Sequence, residues 1–232
     1  MKMNKLGIIG GISPESTIEY YRLLIKGFRE RLATDHYPEL LLQSIDMTEM
    51  LGYVFRNELD ELVDFLRERV LVLEKAGVQY VAMASNTPHL VFDALAEVVN
   101  VEMISIIEEC CKYIAQQGLQ KVGLLGTKST MSTGFYQAVG AKHGVEILIP
   151  NEHEQDYVHD KYMNELVFNQ LKPTTKSRLI SIVHELQAQV GIEGVLLGGT
   201  ELPLILSQSD FPSLTVFDST QIHVAAILDR VT

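Results

Sequence analysis

The sequence predicts an α/β protein of two pseudo-symmetric lobes, each of which is a parallel-sheet βα domain. Two observations carry this prediction. Short apolar runs alternate with longer segments of helical periodicity, which is typical of βα units in a parallel sheet. In addition, the segment Lys5–Tyr20 recurs as Lys121–Tyr136 with Lys, Gly, Gly, Ser, Ser, Thr and Tyr in the same places, and Gly77–Asn86 resembles Gly191–Thr200. Each half therefore contains two strand-to-loop corners in the same order.

Eight strands follow from the apolar runs, and helices from the segments between them. The predicted strands are Leu6–Ile9, Glu39–Ser44, Tyr80–Ala84, Met103–Ile104, Lys121–Leu125, Glu146–Ile149, Gly194–Leu197 and Thr215–Phe217. Strands buried on both faces read as continuous apolar runs, as Val-Gly-Leu-Leu and Gly-Val-Leu-Leu do. The predicted helices are Ser16–Leu32, Asn57–Ala76, Ile106–Gln117, Thr133–His143, His159–Leu171 and Thr175–Val190.

Two details of these helices can be predicted more closely. The first helix has apolar residues at Ile18, Tyr21, Leu24, Ile25 and Phe28, which predicts its buried face. Glycines follow the ends of four helices, where a left-handed cap is favoured; they are Gly77, Gly118, Gly144 and Gly191.

The repeated segments also predict the domain boundaries. The first lobe is expected to comprise residues 5–98 and 208–232, and the second lobe residues 99–207. The last segment, Leu214–Thr232, is expected to pack back onto the first lobe as a strand and a helix. Ligands of open α/β sheets bind at the carboxyl ends of strands, so the site is predicted in a cleft between the lobes.

Composition excludes several classes of function. The net charge is −11, and no Lys/Arg cluster opposes it, so binding to nucleic acid or to anionic membranes is not expected. No apolar run approaches the ~20 residues that cross a bilayer, and the N-terminal apolar stretch is broken by Gly10-Gly11, which favours a cytoplasmic protein. The only cysteines, Cys110 and Cys111, are adjacent, which predicts buried thiols and neither a disulfide nor a metal site.

Four corners at strand ends carry hydroxyl or amide side chains ahead of a helical segment; they are Gly10–Thr17, Ala84–His89, Gly126–Thr133 and Gly198–Leu204. Backbone N–H groups at helix starts can hold a carboxylate. The alternative is that these side chains only cap helices. Their duplicated placement favours a shared anion site. A dinucleotide fingerprint and a Walker A pattern are both absent.

These corners resemble the aspartate/glutamate racemase family over nearly the whole chain. The similar motifs are Gly-Gly-x-x-Pro-x-Ser-Thr at Gly10–Thr17, Ser-Asn-Thr-Pro-His at Ser85–His89, Leu-Leu-Gly-Thr-x-x-Thr ending at Thr130, Gly-Thr-Glu-Leu-Pro at Gly199–Pro203, and Phe-Asp-Ser-Thr-x-x-His at Phe217–His223. The resemblance implies a racemase that uses no cofactor, often a homodimer, and a small acidic amino acid or dicarboxylate as ligand. It implies substrate-binding roles for Ser13, Ser16, Asn86, Thr87, Thr127, Thr130, Thr200 and Glu201.

The chain departs from this family at both catalytic positions. The family reaction uses one cysteine from each half to move a proton at Cα, and those positions are Ser85 and Gly199 here. The internal repeat pairs the same two positions. A serine hydroxyl needs an adjacent base to act, and glycine has no side chain, so two-thiol racemisation is excluded.

Three functions remain open on this reading. The chain could be a repurposed lyase or decarboxylase-type enzyme, a non-catalytic binder of an amino acid or dicarboxylate, or a cysteine-substituted racemase variant. His89 could assist Ser85, although a structural role is favoured. Arg56 and Lys172 could bind a side-chain carboxylate, although a solvated surface role is the better expectation for each.

Overall fold

Two four-stranded parallel sheets form the framework of the computed structural model, which describes residues 4–33 and 35–232. The strands are β1 (Leu6–Gly10), β2 (Leu40–Ser44), β3 (Tyr80–Met83), β4 (Glu102–Ile104), β5 (Lys121–Leu125), β6 (Glu146–Leu148), β7 (Gly194–Leu197) and β8 (Thr215–Asp218). The helices are α1 (Pro14–Leu32), α2 (Met47–Arg56), α3 (Leu59–Lys75), α4 (Phe92–Glu97), α5 (Ile106–Gln116), α6 (Lys128–Ser132), α7 (Phe135–Lys142), α8 (Glu152–Asn164), α9 (Pro173–Val190) and α10 (Ser219–Val231). These two parallel sheets with helices between their strands confirm the predicted α/β class.

The two sheets have equivalent strand orders, β2-β1-β3-β4 and β6-β5-β7-β8. In the first sheet, the N–H of Ala84 donates to the carbonyl of Ile9 over 2.9 Å, just beyond the β1–β3 ladder. In the second, the N–H of Gly198 donates to the carbonyl of Leu125 over 2.7 Å, just beyond β5–β7. The loops that follow neighbouring strands therefore leave each sheet side by side, and Ser85 and Gly199 occupy equivalent places in them.

The chain divides into two compact units that differ from the predicted lobes at their boundaries. The first consists of residues 1–106, as far as they are described, with His223–Thr232; the second is Ile107–Ile222. β4 pairs with β3 and so extends the first sheet beyond residue 98. β8 pairs with β7, so the last strand completes the second sheet, whereas the sequence predicts it on the first lobe.

The first unit buries one face of α1 against its sheet and the C-terminal helix. Tyr20, Leu24 and Phe28 are buried together with Ile227 and Leu228 of α10. Ile18 and Tyr21 were predicted on this face, but they are 60% and 51% exposed. The i, i+4 stripe through residues 20, 24 and 28 is the buried one, and Ile18 and Tyr21 lie beyond its edge.

None of the helices in the described ranges has the length and apolar character that a membrane crossing requires.

Helix ends differ from the predictions where capping side chains were overlooked. α2 was not predicted; it begins after Asp46, whose carboxylate accepts hydrogen bonds from the N–H groups of Thr48 and Glu49. α8 begins at Glu152 and not at His159, because Asn151 and Glu154 form a capping box. The helix predicted over residues 133–143 is α7, which starts after Gly134 in the left-handed conformation.

All four glycines predicted as left-handed caps have positive φ angles, between 70° and 79°. These confirmed caps end the helices that precede β3, β5, β6 and β7. They therefore fix the points at which the chain turns back into the two sheets.

Candidate active site

One group of polar side chains lies at the carboxyl ends of β1 and β3, and we call it the first polar cluster. Its members are Ser13, Ser16, Ser85, Asn86 and Thr87, and each is buried, with at most 8% of its surface exposed. The structure thus brings together, within the first unit, five positions that the sequence had singled out in separate motifs. Such a concentration of buried polar groups needs hydrogen-bond partners.

The β1–α1 loop of this cluster has an unusual backbone. Ser13 precedes α1 with a φ of 59°, and its buried Oγ has no hydrogen-bond partner among the described residues. Gly11 has a φ of 81°, and a Cβ there would lie 2.4 Å from the carbonyl oxygen of Ile45. Its N–H donates to Oγ1 of Thr17 over 2.8 Å. The second glycine of the motif is therefore required by a close approach of two backbones.

His89 lies two residues beyond Thr87 of this cluster, but its ring is not available to activate Ser85. Nε2 accepts a hydrogen bond from the N–H of Ile106 over 3.3 Å, so the neutral ring carries its proton on Nδ1. Burial, followed by the charge of His223, lowers the pKa of His89 to about 3. The backbone groups of Ser85 and Asn86 raise this pKa by a smaller amount. Nδ1 nevertheless makes no hydrogen bond of good geometry among the described residues. A neutral ring whose acceptor is occupied cannot serve as the base that Ser85 needs.

The second polar cluster follows β5 and β7 in the second unit and consists of Thr127, Thr130, Thr200 and Glu201. Oγ1 of Thr127 accepts from the N–H of Thr130 over 3.2 Å, which is the capping role that the sequence left open. Thr130 is fully buried, and its methyl group lies close to Gly126 and Gly198. Oγ1 of Thr200 donates to Oε2 of Glu201 over 2.9 Å, and both residues are buried.

Tyr162 of α8 completes this second cluster, and it lies outside every sequence motif described above. Its hydroxyl donates to Oε2 of Glu201, the same oxygen that Thr200 contacts. Burial, followed by the charge of Glu201, raises the pKa of the phenol well above its ordinary value. Tyr162 is therefore protonated at neutral pH. Oε2 of Glu201 accepts hydrogen bonds from the hydroxyl groups of both Tyr162 and Thr200.

The Tyr162 ring also fills the space beside Gly199. A Cβ at position 199 would lie 2.3 Å from Cε2 of Tyr162 and 3.0 Å from both Cζ and the hydroxyl oxygen. Real side chains do not approach this closely, so any larger residue would have to displace the ring. The φ of Gly199 is not positive, so it is the ring, and not the backbone conformation, that requires glycine.

Arg56 and Lys172 both belong to surface ion pairs. The guanidinium of Arg56 contacts Glu58 at 2.7 Å, and the side chain is 56% exposed. Lys172 pairs with Glu165 at 3.1 Å and is 53% exposed. Each cation is paired with a neighbouring carboxylate at the protein surface, which agrees with the solvated role expected for them.

The two cysteines are buried in α5, and their thiols contact backbone groups that belong to neither cluster. Sγ of Cys110 lies 3.9 Å from the carbonyl of Ser219, and Sγ of Cys111 lies 4.0 Å from that of Tyr136. Burial is the main cause that raises the pKa of Cys110 well above its ordinary value and that of Cys111 to about 12. Neither thiol can replace a catalytic cysteine.

We expect both thiols to be inert in the native protein, because a thiolate is the species that reacts and these pKa values keep it rare at pH 8. Titration with a chromogenic disulfide reagent checks this. The native protein should release no measurable product, whereas the denatured chain should release product for two thiols. Rapid reaction of the native protein would contradict the burial of α5.

Two other observations bear on the kind of site. Among the described residues, no group of three or more His, Cys, Asp or Glu side chains could hold a metal ion. A largely apolar groove of about 330 Å³ lies beside the β1–α1 loop, lined by residues such as Pro14, Ile18, Tyr21 and Leu42. It contains none of the predicted site residues, so it is separate from the polar clusters.

Comparison with known proteins places the chain in a family. The family model for Asp/Glu/hydantoin racemase matches residues 9–227. A putative Asp/Glu racemase from Yersinia pestis is 32% identical, with a TM-score of 0.90 and 98% of each chain covered. An aspartate racemase homologue from Pyrococcus horikoshii OT3 is 40% identical, with a TM-score of 0.85 and the same coverage of both chains.

A curated relative agrees with these matches. The broad specificity amino-acid racemase RacX of Bacillus subtilis is 28% identical over 157 residues, which are 66% of this chain and 67% of the relative. The family model includes both polar clusters and all strands except the start of β1, and the two solved structures extend over nearly the whole chain. This chain is therefore a member of the Asp/Glu/hydantoin racemase family.

Proposed function

We propose that this protein binds a small acidic amino acid or a dicarboxylate and does not racemise it by the two-thiol reaction. The observation that carries the proposal is the Tyr162 ring beside Gly199, because it fills the space that a side chain on this side would need. The predicted substrate-binding residues all belong to the two polar clusters, one in each unit. Ser85 and Gly199 mark the positions of the two missing acid–base groups.

The ligand class is supported by the relatives and by the chemistry of the clusters. RacX is described as an amino-acid racemase of broad specificity, and the Pyrococcus protein as an aspartate racemase homologue. Buried hydroxyl and amide groups, such as those of Ser13, Asn86 and Thr130, can donate to a carboxylate in a chain whose net charge of −11 would otherwise repel it.

The loss of two-thiol chemistry is supported independently on each side. His89 is not available as a base for Ser85, because its Nε2 accepts a hydrogen bond from the N–H of Ile106. Position 199 has no side chain, and the phenol beside it has a raised pKa and is therefore a poor base at neutral pH. A repurposed lyase remains the second candidate from the sequence, but the raised pKa of the Tyr162 phenol, whose proton is bonded to Glu201, makes it a weak proton donor.

The proposal further includes a cytoplasmic homodimer that needs no cofactor. The family resemblance supports the homodimer and the lack of a cofactor, and the sequence pattern alone supports the cytoplasmic location. They stay predictions.

The test combines ligand binding with proton exchange. L-aspartate, L-glutamate and malonate should each be added in a thermal melt, where a ligand at about 100 times its Kd contributes roughly 2.7 kcal/mol to stability. In D₂O, the Cα proton signal of both amino acids should broaden but keep its intensity. We expect Asn86→Ala to abolish the thermal shift and Lys26→Gln, an exposed change on α1, to preserve it.

Each outcome of this test separates the candidate functions. Broadening without exchange supports a binding protein. Loss of the Cα signal would show that a base is present and would overturn the non-racemising part of the proposal. Failure of every acid to shift the melting temperature would overturn the ligand class.

A further inference from the structure

We propose that Tyr162 is the residue that determines which acids the site accepts. It acts in two ways: its ring replaces a side chain at position 199, and its hydroxyl positions the carboxylate of Glu201. This inference rests on the proposed function, because it concerns the size of the ligand that the second polar cluster binds. It adds a residue that neither the sequence motifs nor the repeat had indicated.

The aromatic ring of Tyr162 occupies the space beside Gly199. A Cβ added to Gly199 would lie only 2.3 Å from Cε2 of Tyr162, so the ring lies directly against the Gly199 backbone. The ring therefore lies against the backbone that continues into Thr200 and Glu201, two of the predicted ligand-binding residues. A phenol at this place leaves less room for a ligand than a short aliphatic side chain would.

The hydroxyl controls the orientation of Glu201. Both Tyr162 and Thr200 donate to Oε2 of this carboxylate, and Glu201 is only 1% exposed. Two donors on one oxygen fix the side-chain rotamer and leave little freedom for the carboxylate to adjust to a ligand. Tyr162 therefore acts on Glu201 as a positioning residue.

A purely structural role for Tyr162 is the rival interpretation. The residue continues the buried face of α8, which also carries Gln155 and Val158. Burial alone does not explain two features. The ring meets a glycine whose backbone conformation would tolerate a side chain, and the hydroxyl reaches a carboxylate predicted to bind the ligand. Both features coincide with the motif Gly199–Pro203.

The experiment measures the ratio of two dissociation constants, for L-glutamate and L-aspartate, by calorimetry. Tyr162→Ala removes the ring and the hydroxyl, Tyr162→Phe removes only the hydroxyl, and Thr200→Val removes the other donor to Glu201. Tyr162→Leu replaces Tyr162→Ala if the alanine variant does not fold. Thermal melts confirm that each variant is folded.

We expect the wild type to prefer the shorter acid. Removal of the ring should shift the ratio toward L-glutamate by about tenfold, because one methylene in a pocket discriminates by roughly this factor or more. Tyr162→Phe should keep the wild-type ratio and weaken both acids, as Thr200→Val should. A role in folding alone would lower the melting temperature without moving the ratio.

The failures of the two proposals are distinguishable. If the wild type binds the acids and the ratio is unchanged in the folded Ala or Leu variant, the inference about Tyr162 is overturned while the proposed function stands. If Tyr162→Phe binds both acids as tightly as the wild type, the positioning of Glu201 is overturned. If neither wild type nor variants bind either acid, the proposed function fails and this inference fails with it.

Discussion

The Ser85→Cys/Gly199→Cys variant is expected to melt at a lower temperature than the wild type and to leave the Cα proton of aspartate unexchanged. A Cβ introduced at position 199 would lie 2.3 Å from the Tyr162 ring, so the ring must move. Overpacking of this kind costs about 1–3 kcal/mol. In a chain of this size, each kcal/mol lowers the melting temperature by roughly 2–4 °C. Calorimetric melting and proton NMR in D₂O measure both effects.

A third substitution tests the cause. Adding Tyr162→Ala should cost less stability in a chain that already carries Gly199→Cys than in the wild type, because the two side chains compete for the same volume. Ser85→Cys alone is the matched control, since it changes one atom and leaves position 199 as glycine. A double variant as stable as the wild type, with full exchange, would show that the ring yields without cost and that the site is a racemase site lacking only its thiols.

Acid is expected to destabilise the first unit strongly, because it buries two neutral histidines. Nδ1 of His223 lies 2.8 Å from the hydroxyl of Tyr20, and Nε2 lies 3.0 Å from the carbonyl of Ile104. Burial is the main cause that lowers the pKa of His223 to about 4, with Arg230 adding to the effect. The pKa of His89 is lowered to about 3.

The direction of the pH effect follows from these values. Well above pH 6.5 both the folded and the unfolded chain hold neutral rings, and the histidines make no pH-dependent contribution. As the pH falls from 6.5 toward 4, the unfolded chain binds protons that the folded chain cannot. By pH 4 the loss is on the order of 3 kcal/mol for each histidine.

Urea unfolding between pH 7 and pH 4 measures this loss. His223→Gln should remove about half of the stability loss that the two buried histidines contribute, because a neutral amide replaces one of these rings. The amide can still donate to Ile104 and accept from Tyr20. His153→Gln, at an exposed position of α8, is the control and should follow the wild type. Identical pH profiles for the wild type and His223→Gln would contradict the assignment of the acid effect to this ring.

The fold could be predicted because its signals are local and duplicated. Continuous apolar runs such as that of β5 mark strands buried on both faces, and the glycine caps mark where helices end. The sheet to which β8 belongs could not be predicted in the same way. A strand at the end of the chain carries no mark of its partner, and only its register with β7 assigns it.

The candidate site was predicted wherever a motif carries its residues side by side. The segment Ser85–Thr87 and the pair Thr200–Glu201 are of this kind. Tyr162 was missed because its contact with Gly199 joins distant parts of the chain, and no periodicity connects them. A local signal did exist: Asn151 and Glu154 have the spacing of a capping box, and would have placed Tyr162 on the buried face of the helix.

The chain order of the two units has a consequence for folding during synthesis. The apolar core of the first unit includes Val224, Ile227, Leu228 and Val231 of α10, which follow the whole second unit in the chain. The second unit, being continuous, can close as soon as it leaves the ribosome. The first unit must wait with an exposed apolar surface on α1 until α10 arrives, although its sheet is made first. The half of the protein that is translated earlier is thus the half that matures later, and it is the half that chaperones should protect.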